Sequence, residues 1–127
     1  MYLLDTNILI YVFNDISPYG DWFAKQGQQK QIHLSVVTIA EFVTGASGNG
    51  LDKLHSIESV IPILPIDAQI AHIAGAYRKQ LTQKIKAPYL IDCLIAATAK
   101  VHNLTLVTNN IKDFPMNDIK ILNLNKK

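Results

Sequence analysis

A chain of 127 residues, 49% hydrophobic and 17% charged, is long enough to bury a core and too apolar to be disordered. We expect one domain over residues 1–127. The formal net charge of +2 does not by itself indicate a nucleic-acid partner, and a single cysteine, Cys93, excludes an internal disulfide. The first residues lack the basic start of a secretory signal, and the apolar runs are shorter than a membrane span. We therefore expect a soluble, cytoplasmic protein with no membrane partner.

Short apolar runs alternate with longer amphipathic stretches in the first half of the chain. In chain order, the pattern predicts a strand at Tyr2–Leu4, a helix at Ile8–Phe13, a helix from Ser17-Pro18 to about Gln29, a strand at Ile32–Leu34 and a helix at Val36–Thr44. Thr6 or Asn7 is expected to cap the first of these helices and Ser35 the third. Pro18 is expected at the first position of the second helix.

The second half continues the alternation. The pattern predicts a loop at Gly48-Asn49-Gly50, a helix at Leu51–Ile57, an edge strand within Val60–Ile66, a helix capped by Asp67, a basic loop at Lys84–Pro88, a buried helix at Leu90–His102 and strands at Leu104–Val107 and Ile119–Leu124. The helix after Asp67 has one apolar stripe, formed by Ile70, Ile73, Ala74, Tyr77 and Leu81. Strands that alternate with helices predict a parallel sheet with helices on both faces.

Polar residues directly follow two of the predicted strands. Asp5 comes after the first strand, and Thr108, Asn110 and Asp113 come after Leu104–Val107. Ligands bind in the cleft beyond the carboxyl ends of parallel strands, so these side chains are candidates for one site. A plain helix cap is the alternative for Asp5, but Thr6 or Asn7 can fill that position and leave Asp5 free. Ordinary turn chemistry is the alternative for the other three.

Two further acids lie within predicted helices. Glu41 is surrounded by apolar residues about two turns from its helix start, where it faces either the solvent or the cleft. Asp92 interrupts the apolar run from Leu90 to Ala99 near a helix start. A carboxylate in such surroundings needs a partner, which is either the helix terminus or a cation. Asp92 is therefore the strongest single candidate.

The chemistry of the candidate set favours hard metal ions. Several carboxylates in one cleft repel each other, and their pKa values rise unless cations neutralise them. Mg²⁺ and Mn²⁺ prefer oxygen ligands, and such a site can hydrolyse phosphodiesters without a protein nucleophile. With four of the ten acids covered by cations, the twelve Lys and Arg would dominate the surface and attract a polyanion. The four histidines are dispersed and receive no role: His33, His55, His72 and His102.

Four segments resemble the motifs of PIN domains, in the family's order. They are Leu3-Leu4-Asp5-Thr6-Asn7, then Ser35 to Phe42, which contains Glu41, then Asp92 to Ala99, and finally Leu106 to Phe114. The spacing and total length are similar to those of VapC toxins of prokaryotic toxin–antitoxin pairs. The match covers essentially the whole chain.

The resemblance implies a three-layer α/β/α PIN-like fold with a central parallel sheet of four to five strands. It implies an endoribonuclease dependent on Mg²⁺ or Mn²⁺ that acts on structured RNA such as tRNA. It also implies a homodimer, and a cognate VapB-like antitoxin whose C-terminal segment enters the acidic cleft. Asp5, Glu41 and Asp92 carry over as metal ligands, whereas Thr6 and Thr108 would orient carboxylates or water and Asn7 would support Asp5.

The fourth acidic position departs from part of the family. Some members have an acid where Asn110 stands, and others where Asp113 stands. Asp113 is therefore the expected fourth ligand, with a second metal ion bound weakly or only together with substrate. Lysines near the motifs are candidates for holding RNA phosphates: Lys79, Lys84, Lys86 and Lys112.

Other functions fit less well or remain as alternatives. A phosphatase of the haloacid-dehalogenase kind needs a second Asp at position 7, which is Asn7 here. A receiver domain needs a mid-chain strand followed by Asp, and a flap endonuclease needs more helices than this length allows. A catalytically weak PIN domain that only binds RNA or a protein remains the alternative.

Overall fold

The computed structural model describes residues 1–82 and 88–125, in which strands and helices alternate. The strands are β1 (Tyr2–Leu4), β2 (Ile32–Ser35), β3 (Ile63–Leu64), β4 (Thr105–Val107) and β5 (Lys120–Leu122). The helices are α1 (Thr6–Phe13), α2 (Tyr19–Gln28), α3 (Val36–Gly45), α4 (Asn49–Glu58), α5 (Ala68–Leu81) and α6 (Leu90–Val101), and a 3₁₀ turn covers Ile111–Asp113. None of the helices in these ranges is long and apolar enough to cross a membrane.

The five strands form one parallel sheet in the order β3-β2-β1-β4-β5. Strand β1 is central, and its Leu3 is in register with His33 of β2 and Leu106 of β4. After β1, the chain adds β2 and then β3 on one side of it, and afterwards β4 and then β5 on the other side. The strand order therefore reverses between β1 and β4, and a cleft opens there beyond the strand ends.

The sheet is covered on both faces because successive strand residues point in opposite directions. Leu3 and Leu106 pack in one hydrophobic cluster with buried residues of α5 and α6. Their neighbours Leu4 and Val107 pack in a second cluster with residues of α1 and α2. These two clusters make the three-layer α/β/α architecture, which confirms the predicted fold class.

Several local predictions are confirmed. Ser35 caps α3 by accepting a hydrogen bond from the N–H of Val37, and Asp67 caps α5 by accepting one from Ile70. The α5 stripe packs into the core as expected, and Cys93 is a buried hydrophobe. Strand β3 is a two-residue strand at the sheet edge.

Three helix starts differ from prediction. Helix α1 begins at Thr6, two residues before the predicted Ile8. Asn49 and Gly50 belong to α4 instead of a loop, because the loop ends at Gly48, with φ +50°, two residues earlier than predicted. Packing of Leu54 in a small cluster with Leu9 and Phe42 holds α4 in place despite its glycine. Helix α2 begins at Tyr19, with Pro18 one position before the first helical residue.

Candidate active site

A cleft of about 310 Å³ collects all four of the acids singled out in the sequence. Its lining consists of Asp5, Thr6, Asn7, Glu41, Tyr89, Asp92, Asn110 and Asp113. These residues come from α1, α3, the start of α6 and the turn after β4. The fold thus brings together side chains that are as far as 108 residues apart in sequence, at the point where the strand order reverses.

Asp5 is the most deeply placed acid of the cleft, with 7% of its surface exposed. Its Oδ1 accepts a hydrogen bond from the backbone N–H of Thr6 at 2.8 Å, and its Oδ2 accepts one from the Thr108 hydroxyl at 2.8 Å. Asp5 is therefore the N-cap of α1. The prediction that Thr6 or Asn7 would fill this position was wrong, because the extended backbone at the end of β1 turns the Asp5 side chain onto the first free N–H of the helix.

Thr108 has a defined hydrogen-bond direction. Its hydroxyl oxygen accepts the backbone N–H of Asn110 at 3.0 Å, and the residue is fully buried. The one hydroxyl proton is donated to Asp5. The turn after β4 thus fixes the orientation of a carboxylate that follows β1, as expected from pairing of these two strands.

Thr6 connects Asp5 to Glu41. Its backbone N–H binds Asp5, and its hydroxyl donates to Oε1 of Glu41 at 2.6 Å. Glu41 lines the cleft and is half-buried, so its alternative reading as a solvent-facing helix residue is wrong.

Burial raises the pKa of the Asp5 carboxyl above its usual value. The hydrogen bonds from Thr108 and Thr6 oppose this rise, whereas the negative charges of Glu41 and Asp113 add to it. The direction is the one expected for acids gathered in one cleft without a cation. The ionised form of Asp5 is therefore held at a cost that a bound cation would offset.

Asp92 lies in the first turn of α6, where the helix dipole favours a negative charge. It is half-buried, and the preceding residues Leu90 and Ile91 are 53% and 43% exposed. The prediction of a buried helix over Leu90–His102 is therefore correct only for its middle, from Cys93 to Ala99. Asp113 ends the 3₁₀ turn and lines the cleft together with Asn110.

Tyr89 is a cleft residue that the sequence reasoning missed. It immediately precedes α6, and its side chain is 67% exposed. Its one signal in the sequence is its position directly before the helix that carries Asp92, and that position alone does not indicate which way the ring points. A search for acids alone could not detect it.

The lining offers only oxygen-rich donors of the kind that Mg²⁺ and Mn²⁺ bind. None of the four histidines, nor Cys93, takes part in it, so the donor chemistry fits a hard cation and not zinc. Within residues 1–82 and 88–125, no three His, Cys, Asp or Glu side chains stand arranged to hold a metal ion. The acids converge on the cleft without the close spacing of a preformed ligand set.

Of the candidate RNA-binding lysines, the two in the described residues are not part of this lining. Lys79 on α5 and Lys112 in the 3₁₀ turn are exposed outside the cleft. Lys84 and Lys86, with most of the predicted basic loop at Lys84–Pro88, lie outside the described residues.

Known proteins share this sequence pattern and fold. The PIN domain family model matches residues 2–119. Ribonuclease VapC2 of Rickettsia felis is 33% identical over 120 residues, which cover 90% of each chain. The tRNA(fMet)-specific endonuclease VapC of Shigella flexneri is 28% identical over 118 residues, or 89% of each chain.

A similar fold is present in the crystal structure of VapBC2 from Rickettsia felis bound to a DNA fragment from their promoter. The superposition has a TM-score of 0.82 at 30% identity and covers 96% of this chain and 97% of the other. The family model and these full-length likenesses agree with the four motifs and with the cleft they form. This chain belongs to the PIN-domain family, with VapC ribonucleases among its relatives.

Proposed function

We propose that this protein is a metal-dependent endoribonuclease, the VapC-like toxin of a toxin–antitoxin pair, acting in the cytoplasm. The observation that carries the proposal is the gathering of Asp5, Glu41, Asp92 and Asp113 at one cleft, with the first two held by threonine hydroxyls. The names of similar full-length ribonucleases support the same activity.

The four acids are the proposed ligands of Mg²⁺ or Mn²⁺. When bound, such an ion supplies Lewis acidity and positive charge for phosphodiester hydrolysis. Asp5 and Glu41 would form the fixed part of the ligand set, since Thr108 and Thr6 restrict their rotation. Asp92 and Asp113 would complete it, and we assign Asp113 as the fourth ligand because Asn110 carries no charge.

Two threonine hydroxyls keep the carboxylates of Asp5 and Glu41 in a fixed orientation. Thr108 keeps its proton on Asp5 because the Asn110 N–H occupies the other side of the hydroxyl. Thr6 keeps its proton on Glu41. Both carboxylates therefore present their remaining lone pairs to the cleft with little reorganisation.

Structured RNA such as tRNA is the proposed substrate. The Shigella flexneri relative is named as a tRNA-specific endonuclease, which supports this class. Covering the acids with cations would leave an excess of basic residues on the surface, which favours a polyanion.

A VapB-like antitoxin is the proposed protein partner, and the toxin is proposed to be a homodimer. A groove of about 330 Å³, here called the α4 groove, lies between α1, α3 and α4, and its wall combines apolar and polar side chains, among them Ile10, Phe13, Phe42, Asn14, Ser47, Asn49 and Lys53. Glu41 belongs to both the α4 groove and the acidic cleft. An antitoxin segment seated in the groove could thus extend into the cleft and block it. The similar VapBC2 structure supports a partner of this kind.

A catalytically weak binding module is the second candidate. Two observations favour it: the described residues contain no preformed group of three metal-binding side chains, and Asn110 stands where some relatives have an acid. Such a module would bind RNA or a protein through the same surfaces without cleaving the strand.

Cleavage of total cellular RNA by the purified protein separates the two candidates. We expect cleavage with Mg²⁺ or Mn²⁺, none with EDTA, and none by Asp5→Asn or Asp92→Asn. The control Asp52→Asn changes an exposed acid of α4 outside the cleft and should cleave like wild type. Activity that persists in both cleft variants would refute the metal site, and an inactive wild type would favour the binding module.

A further inference from the structure

Tyr89 differs in chemistry from every other side chain in the cleft lining. The remaining members of that lining are acids, amides and a threonine, so Tyr89 is its one aromatic ring among the described residues. A tyrosine in a folded protein usually buries most of its ring, but 67% of Tyr89 is exposed. An exposed ring at the mouth of a charged cleft is a surface available to a ligand.

The backbone holds Tyr89 at a fixed place relative to the acids. It has extended dihedrals (φ −68°, ψ 151°) directly before α6, and its carbonyl accepts the N–H of Cys93 at 3.0 Å. Asp92 is in the first turn of the same helix. The backbone of Tyr89 is therefore tied to the helix that carries Asp92, and ordering the ring on a ligand restricts only two side-chain torsions.

The cleft favours a nucleotide over an apolar peptide as the occupant of this ring. The groups beside the ring suit phosphate and ribose once cations are present, and every base offers a π-face that stacks on an aromatic side chain. Without cations the acids repel phosphate, so stacking on Tyr89 is the one contact with the face of a base that the cleft lining in the described residues offers a nucleotide. An apolar segment would instead meet a lining that is otherwise polar.

We propose that Tyr89 stacks against an unpaired base of the RNA next to the scissile phosphate, and so selects nucleotides that are not held in a duplex. This inference rests on the proposed function of the same cleft. Tyr89 contacts substrate and performs no proton transfer, so its removal should raise KM and leave kcat nearly unchanged.

Binding of oligoadenylate in EDTA tests the contact without any cleavage. Fluorescence anisotropy would compare oligoadenylate with a strand of equal length that carries abasic riboses. We expect wild type and Tyr89→Phe to prefer the strand with bases by about tenfold or more, and Tyr89→Ala to lose that preference. The preference should persist at high salt, because stacking releases no counterions. Leu90→Ala, an exposed neighbour outside the cleft lining, is the matched control and should behave like wild type.

A base preference retained by Tyr89→Ala would overturn the inference. The inference would also be overturned if Tyr89→Ala left KM unchanged for an RNA that the wild type cleaves with Mn²⁺. It would be overturned too if Tyr89→Ala changed the oligomeric state on gel filtration while RNA binding stayed the same, because Tyr89 would then belong to a protein interface. A wild type that shows Tyr89-dependent base preference yet cleaves no RNA with Mn²⁺ would support the base contact and refute the ribonuclease proposal. Failure of the base contact and failure of the ribonuclease proposal therefore give different results.

Discussion

The acidic cleft and the α4 groove meet at Glu41 but differ in what holds their walls in place. The cleft is lined by charged and amide side chains whose orientation depends on hydrogen bonds between distant segments, as between Thr108 and Asp5. The groove is shaped by packing, including an edge-to-face contact of Phe13 and Phe42 with ring centres 5.2 Å apart. Substitutions should therefore separate chemistry in the cleft from partner recognition in the groove, and only Glu41 should affect both.

The largest effect is expected for Glu41→Gln. Loss of its charge should lower the RNA cleavage rate at least about hundredfold, because a neutral amide is a poor ligand for Mg²⁺ or Mn²⁺. The groove keeps its shape, so antitoxin affinity should change much less. Initial rates and calorimetric titration with the cognate antitoxin measure the two effects. Equal losses in both would mean that the cleft and groove are not separable at this residue.

A smaller loss, in stability and in metal affinity, is expected for Thr108→Val. The variant leaves Oδ2 of Asp5 and the Asn110 N–H without their buried partner, at a cost of about 1–3 kcal/mol in the free energy of unfolding. Metal affinity should fall about 10- to 100-fold, as for other supports of ligand side chains. Thr108→Ser keeps the hydroxyl and should retain both. A valine variant with wild-type Mn²⁺ affinity would refute the role of this hydrogen bond.

The groove is tested by Ile10→Glu. Ile10 lies in the groove wall but not in the cleft lining, and it is partly exposed. A charge at this position should weaken antitoxin binding about tenfold or more, because a desolvated charge opposes an apolar contact. RNA cleavage should stay within about twofold of wild type. The matched control is Ile16→Glu, at an equally exposed position outside the groove. Equal antitoxin affinity in both variants would contradict the proposal that the antitoxin binds in this groove.

The smallest effect is a change with pH in the relative stability of Asp5→Asn. The folded-state pKa of Asp5 is raised, so its contribution to stability is present at acid pH and is lost as the pH rises through that pKa. Asparagine has no charge for burial to oppose, but its amide NH₂ replaces one of the two oxygens that accept from the Thr6 N–H and the Thr108 hydroxyl. Thermal melts of both proteins should therefore show that wild type gains melting temperature relative to Asp5→Asn as the pH falls from neutral, and that Mn²⁺ at neutral pH shifts the difference in the same direction. A difference in melting temperature that stays constant from neutral to acid pH would contradict this account.

The sequence sufficed for features that depend on local pattern. The alternation of apolar segments predicted the parallel sheet, and the spacing of Ile70, Ala74 and Tyr77 predicted the buried face of α5. Asp5 and Asp92 were identified because the first follows an apolar segment and the second interrupts one, signals that lie within a few neighbouring residues. Glu41 and Asp113 carried weaker local signals and were assigned to the site chiefly through the resemblance to PIN-domain motifs.

Features that depend on distant partners could not be predicted. Asp5 is a helix cap whose second oxygen is held by Thr108, 103 residues away, and neither periodicity nor propensity reports that bond. The first turn of α6 is apolar in sequence yet exposed, since no element in the described residues covers Leu90 and Ile91 there. Tyr89 was missed for the same reason, as its exposure is set by the fold.

Calorimetric titration of Mn²⁺ alongside RNA cleavage is the most direct test of the central claim that this acidic cleft is a cation-dependent ribonuclease site. Wild type should bind Mn²⁺ and reach its maximal cleavage rate over the same range of Mn²⁺ concentration. Asp5→Asn should lose both, although it remains folded. Cleavage by wild type in EDTA, or by Asp5→Asn at the wild-type rate, would contradict the account.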